Sequence, residues 1–188
     1  MNSNGLVEIR WHGRGGQGAV TSAELVAQAA IAEGKHAHAF PSFGPERRGA
    51  PVLAFVRVSK TEPIKVRAEI TEPDVVVVLD PGLLTIVNVT AGLKDDGLLI
   101  INTKKSFDEV AKLFKTKARI AKVDANKIAR EVLGVLITNT TMVGALLKGA
   151  PVVDIESVVA PLQKRFGKLA DRNIAAMRRA YAETTIKE

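Results

Sequence analysis

LVEIRWHGRGGQG (residues 6–18), continued without a break by AVTSAELVAQAAIAEG (19–34), is the stretch from which the fold is read. An apolar run meets four glycines within six positions, and a helix-forming segment follows. A Gly-rich turn between a strand and a helix gathers backbone N–H groups at the positive end of the helix dipole, which is how a chain cradles phosphate or carboxylate oxygens. Gly13, Gly15 and Gly18 satisfy the G-x-G-x-x-G spacing of a dinucleotide loop. That reading also needs an Asp or Glu about 20 residues further on, at the end of the second strand. The second strand, read over 35–40 (KHAHAF), ends without an acid, and Glu33 belongs to the helix end before the Gly34 stop. The turn therefore reads as an anion cradle and a poor nicotinamide site. A free-standing NADP-binding enzyme stays open, because Arg47 and Arg48 offer charge to a 2′-phosphate.

Working outward, the helix over 19–33 carries Leu25, Val26, Ala29 and Ala30 at helical spacing. The strand over 35–40 runs into PSFGPERRGAP (41–51), a loop with three prolines and two glycines. VLAFVRV (52–58) reads as a strand, with 64–66 as a short partner after the Thr-Glu-Pro turn. VVVVL (75–79) and GLLIIN (97–102) are continuous apolar runs of the kind buried on both faces of a sheet. Asp80, Pro81 and Gly82 end the first of these and open a short helix through Asn88. Ser106 and Glu109 have capping-box spacing at the head of SFDEVAKLF, and ARIAKV (118–123) is a last strand before Asp124 caps ANKIAREVLG. From Asn139 onward the pattern is helical, with Pro161 expected to kink or split the middle helix.

Strands alternate with helices for two-thirds of the chain, which predicts one α/β domain over 1–188: a mostly parallel, twisted, Rossmann-like sheet, helices on both faces, and a helical C-terminal region. Ligands of such sheets bind beyond the carboxyl ends of the strands. The GRGGQG turn and the PSFGPERRG loop both follow strands, so both are expected on that rim. Phe43, Glu46, Arg47 and Arg48 join an aromatic ring and paired guanidinium groups in a turn fixed by prolines. Arginine forks recognise carboxylate or phosphate bidentately, or dock a subunit. The plainer reading is an arginine paired with Glu46 or closed over helix carbonyls. Gln17 likewise either orients a ligand or bonds within its own turn.

Composition narrows the chemistry. There is no cysteine, which excludes disulfides, thiol catalysis and any iron–sulfur cluster held by this chain's own thiolates. His36 and His38 alternate on one strand face without a third ligand at a telling distance, so no metal site is assigned. No nucleophile elbow, paired carboxylates or H-E-x-x-H motif is present, and Asp80 at the end of a central strand reads first as a turn cap. No catalytic residue is assigned. No run approaches 18 apolar residues and no secretory leader opens the sequence, so a cytoplasmic location without membrane contact is expected. The net charge of +7 is concentrated late: from Pro161 onward seven Lys or Arg (Lys164, Arg165, Lys168, Arg172, Arg178, Arg179, Lys187) face three acids. With aromatics at 4%, that basic region reads as a solvated face or a dock for an acidic partner, and no nucleic acid is expected.

IRWHGRGGQGAVTSAELVAQAA, then AFPSFGPERRGAPVLAFVRVS, then DVVVVLDPGLL together resemble the gamma subunits of the 2-oxoacid:ferredoxin oxidoreductases. The nearest likeness is to the pyruvate or branched-chain (2-oxoisovalerate) enzymes of archaea and anaerobic bacteria. The likeness covers nearly the whole chain, and P-x-x-G-x-E-R-x-G downstream of the glycine–glutamine turn is its most specific element. It implies a heteromeric oxidoreductase that acts on the oxo group of a 2-oxoacid, with coenzyme A as acyl acceptor and ferredoxin as electron acceptor. Acyl-CoA, carbon dioxide and reduced ferredoxin are the implied products. It implies alpha, beta and delta partner subunits, with thiamine diphosphate, Mg2+ and [4Fe-4S] clusters on those chains and none on this one. A structural role, with help in shaping the coenzyme A entrance, is carried onto Gly13, Arg14, Gly15, Gly16, Gln17 and Gly18 and onto Glu46, Arg47 and Arg48.

Overall fold

In the computed structural model, residues 5–42, 49–114 and 116–187 are described. The glycine turn lies where the sequence places it, between strand β1 (Leu6–Arg14) and helix α1 (Ala19–Ala32). Six further strands follow: β2 (His36–Pro41), β3 (Pro51–Ser59), β4 (Val75–Val78), β5 (Leu98–Asn102), β6 (Arg119–Val123) and β7 (Thr185–Lys187). Their order across the sheet is β2-β3-β1-β4-β5-β6-β7. β1, β4, β5 and β6 are parallel neighbours, in register from Ile9 opposite Val75 to Val75 opposite Leu98. The two outer parts are antiparallel, through β3 against both β1 and β2, and through β7 against β6.

This topology changes what the first βαβ-like unit is. β2 runs in the same direction as β1 but is separated from it by β3. The place beside β1 that a second parallel strand takes in a dinucleotide fold is occupied by an antiparallel one. β2 also ends at Pro41 without a carboxylate. The geometry thus opposes a free-standing NADP enzyme. Because β1 and β2 share a direction, the loops that follow them still emerge on one rim.

Period-two alternation sorts β1 into two faces. Ile9 and Trp11 enter the main core with Val75, Val77, Leu98 and Ile100, beneath α1, α4 (Asn139–Gly149) and α6 (Ala170–Glu183). A Cβ on Gly144 would collide with the carbonyl of Met177, so glycine there is what lets α4 and α6 approach. The opposite face carries Val76, Val78, Leu99 and Ile101, covered by Leu83 and by Val110 of the short helix α2 (Phe107–Ala111). Between α2 and α4, helix α3 (Ala125–Ile128) continues into a π turn at Ala129–Leu133. α5 (Val159–Phe166) follows a 3-10 turn at Ile155–Val158.

Several expectations are met locally. Ser106 and Glu109 form the reciprocal capping box, and Asp124 Oδ1 accepts from Lys127 N at 2.9 Å. Pro161, expected to kink or split its helix, instead stands in the first turn of an unbroken α5, where its missing N–H costs no helical bond; the 3-10 segment ends before it, at Val158. Residues 64–66, expected as a strand, are not one. Their segment turns its carbonyls to an arginine instead: Arg57 Nη1 donates to Val66 O and Ala68 O. The helix after Asp80 is only a 3-10 turn, Pro81–Thr85.

Candidate functional site

The turn after β1 is built by Gln17 and Asp80. Gln17 Oε1 accepts from Arg14 N at 2.8 Å, closing the loop on itself, while Gln17 Nε2 donates to Asp80 Oδ2 at 2.8 Å. Arg14 Nε donates to the same Asp80 oxygen at 3.0 Å, and Arg14 Nη1 donates to Gly49 O at 3.1 Å. The other carboxylate oxygen of Asp80 accepts from Gly82 N at 2.7 Å. Asp80 can do this because β4 lies directly beside β1, with Leu79 N donating to His12 O at 2.8 Å. It is the turn cap expected at an Asp-Pro-Gly corner, and it also anchors the glycine turn. That second role was not read from the sequence, although an acid at the carboxyl end of a central parallel strand was its signal.

The glycines divide by function. Gly13 is a strand residue opposite Val52, not part of the turn, and Gly15 N donates to Ala50 O at 2.9 Å. Gly18 caps α1 at φ 80°, and a Cβ there would lie 2.7 Å from Asn139 Nδ2 at the start of α4. Among the described residues no side chain caps α1, and its first turn holds no acid, so its positive end is not neutralised from within. The turn and the residues that close the second loop are joined through Gly15, Gly49 and Ala50. That contact agrees with the single rim expected for the two loops. Phe43, Glu46, Arg47 and Arg48 lie outside the described residues.

Among the described residues no catalytic groups are assembled around the turn. Asp80 is engaged by Arg14, Gln17 and Gly82. His12 is buried with its Nε2 accepting from Arg10 Nε at 3.1 Å; burial, then the neighbouring Arg10 charge, push its imidazole down to about 3. It is a neutral acceptor at physiological pH and no proton shuttle. His36 is exposed, while His38 stacks on Phe40 with ring centroids 5.0 Å apart. Among the described residues no three His, Cys, Asp or Glu side chains gather as metal ligands, and no helix is long and apolar enough to cross a membrane. The arrangement is one that holds a shape: the amides of Arg14, Gly15 and Gln17 are spent on Gln17 Oε1, Ala50 O and Arg14 O.

The late basic region is partly consumed within the fold. Arg178 pairs with Glu156, Arg179 with Glu131 and Glu183, and Lys187 with Asp108.

Comparison with known proteins gives one consistent picture. Residues 8–183 match the family described as pyruvate ferredoxin/flavodoxin oxidoreductase. Over 185 residues the chain is 53% identical to the pyruvate/ketoisovalerate oxidoreductases common subunit gamma of Pyrococcus furiosus, an alignment that spans 97% of this chain and 100% of that one. It is 50% identical over 179 residues to the pyruvate synthase subunit PorC of Methanocaldococcus jannaschii, covering 95% and 97% of the two chains. Among solved structures, the pyruvate oxidoreductase subunit PORC of Thermotoga maritima superimposes with a TM-score of 0.88 at 39% identity, over 97% of this chain and 99% of that one.

Proposed function

This chain belongs to the pyruvate ferredoxin/flavodoxin oxidoreductase family, and from that premise we propose that it is the gamma-type subunit of a multisubunit 2-oxoacid:ferredoxin oxidoreductase. In this reading the assembled enzyme oxidatively decarboxylates a 2-oxoacid with coenzyme A, giving acyl-CoA, carbon dioxide and reduced ferredoxin. Alpha, beta and delta subunits are its partners. Thiamine diphosphate, Mg2+ and the [4Fe-4S] clusters belong to them: a chain without cysteine has no thiolate to hold a cluster, and no catalytic constellation gathers among its described residues. The supporting relative from Pyrococcus furiosus is named as a subunit common to pyruvate and ketoisovalerate enzymes. Accordingly, we assign the choice of oxoacid to the other chains, with pyruvate as the leading substrate and 2-oxoisovalerate as the alternative.

Within that assembly the chain's own contribution is the carboxyl rim of β1 and β2. The observation that carries this is the uncapped start of α1 behind a turn whose shape is locked by Gln17 and Asp80. The positive end of α1, which no side chain caps among the described residues, suits the diphosphate of coenzyme A. Asp80 neutralises Arg14, so the cationic share falls to Arg47 and Arg48 on the neighbouring loop. Steady-state kinetics on the reconstituted complex test the reading. Arg47→Ala and Arg48→Ala are expected to raise the KM for coenzyme A about tenfold, the scale of one lost charge-assisted contact, with oxoacid decarboxylation largely intact. Unchanged coenzyme A kinetics in a correctly assembled complex would reject it. Dissociation of the variants on gel filtration would instead make the loop a clamp on a partner subunit.

A further inference from the structure

The loop between the π turn and α4 is apolar where a loop is ordinarily polar. Gly134, at φ 74°, ends the π turn, and residues 135–138 run without regular structure to the start of α4. Val135, Leu136 and Ile137 are 51, 59 and 44% exposed, and Leu169, at the head of α6, is 59% exposed. Val135, Ile137 and Leu169 line one groove of about 110 Å3, with Leu133 and Phe166 beside them. Three consecutive exposed apolar residues, rimmed by polar ones, mark a surface that is covered in use.

The rim of the groove is cationic. Arg172 lines it, and Arg165 and Lys168 flank Phe166 and Leu169 in the chain. Among the described residues none of these three forms an ion pair, whereas Arg178 and Arg179, further along α6, are paired with Glu156, Glu131 and Glu183. The groove also touches the glycine turn. Asn139 lines it while standing against Gly18, and Arg165 Nη2 donates to Thr21 Oγ1 at 3.3 Å in the first turn of α1. Among the described residues the Oδ1 atom of Asn139 is buried with no hydrogen-bond partner.

We infer that this groove receives an apolar side chain from an acid-flanked segment of a companion subunit of the oxidoreductase; the inference rests on the proposed function. A second copy of this chain fits less well. A two-fold contact would set the same patch on both partners and bring Arg165, Lys168 and Arg172 against their equivalents. An acid-flanked apolar segment answers both the groove and its uncompensated rim, and it would also cover the flank of the glycine turn.

The test mixes the full chain with its companion subunits and follows assembly by sedimentation velocity. Val135→Asp with Leu169→Asp is expected to weaken assembly at least a hundredfold. Lys168→Glu with Arg172→Glu is expected to weaken it about tenfold at low salt and to flatten its salt dependence. All four positions are at the surface, and an unchanged melting temperature of each variant confirms that the chain itself is folded. Variants that assemble like the unaltered chain overturn the inference. So does self-association through the patch, or capture of the chain by anionic phospholipid vesicles in preference to the companions. If the unaltered chain fails to join the companions at all, it is the proposed function that falls.

Discussion

Arg10 and His12 stand two residues apart on one face of β1, and the guanidinium Nε–H of the first donates to Nε2 of the second across 3.1 Å. Both are buried, and Arg10 forms no ion pair among the described residues. Its remaining donors go to carbonyls of Ile70, Val89 and Ala91, so one buried cation fastens two irregular segments to the sheet. The pair is stable only while His12 stays an acceptor, with its proton on Nδ1.

That requirement makes stability depend on pH. The imidazole is held at about 3 in the folded chain, below its ordinary 6.5, so the unfolded chain binds the extra proton first as pH falls. The stability is fully present above pH 6.5 and is lost progressively toward pH 3. Between pH 6.5 and 4 the loss is on the order of 3 kcal/mol from this group alone. Urea unfolding at a series of pH values measures it. His12→Gln, which keeps an acceptor for Arg10 but does not titrate, is expected to flatten that slope, and an unaltered slope would refute the assignment.

Removing Asp80 should loosen the rim. Asp80→Ala leaves Arg14 Nε, Gln17 Nε2 and Gly82 N without their acceptor. A loss of about 1–3 kcal/mol is expected, seen as a lower Tm. Amide exchange should quicken at residues 15–18 and 49–50, while the helices α4 and α6 keep their protection.

The glycines of the turn should respond unequally to alanine. Gly16 has φ +94° but open space around a Cβ, so Gly16→Ala is expected to cost about 1 kcal/mol of backbone strain. Gly18→Ala adds the 2.7 Å approach to Asn139 Nδ2 to a similar φ and is expected to cost roughly 2–4 kcal/mol. Chemical denaturation of the two variants gives the ranking, and equal losses would contradict the close packing of α4 on the turn.

Asn102 offers a fourth check. Its Nδ2 donates to Leu79 O at 2.8 Å and to Asn126 Oδ1 at 3.0 Å, tying β5 to the end of β4 and to α3. Asn102→Asp places a carboxylate beside two acceptors and is expected to destabilise the fold by about 2–4 kcal/mol near neutral pH. Part of that loss should be recovered below pH 4, where the carboxyl becomes a donor. The comparison is a pair of melting curves at the two pH values.

Most local structure was legible in the sequence because it is set by local chemistry. The glycine turn, α1, the runs that became β4 and β5, the capping box at Ser106 and the C-terminal helices all follow from periodicity and caps. Pairing was harder to read. VLAFVRV announces a strand, but its insertion between β1 and β2 is decided by contacts of long sequence separation. β7 has only three residues and no strand signature of its own; it exists because α6 delivers it to the edge of β6. The site divided in the same way. Gln17 and the glycines were visible as a motif, whereas Asp80 gains its role only once β4 is known to flank β1. Gly13, read as part of the turn, is a strand residue because β3 pairs with it.

Arg14 joins three stretches that are far apart in the chain: its own turn, the corner at Asp80 and the backbone at Gly49. It works as a rivet through overlapping plates. A displacement of the glycine turn is therefore felt at the tip of β4 and at Gly49, the point where the chain re-enters β3.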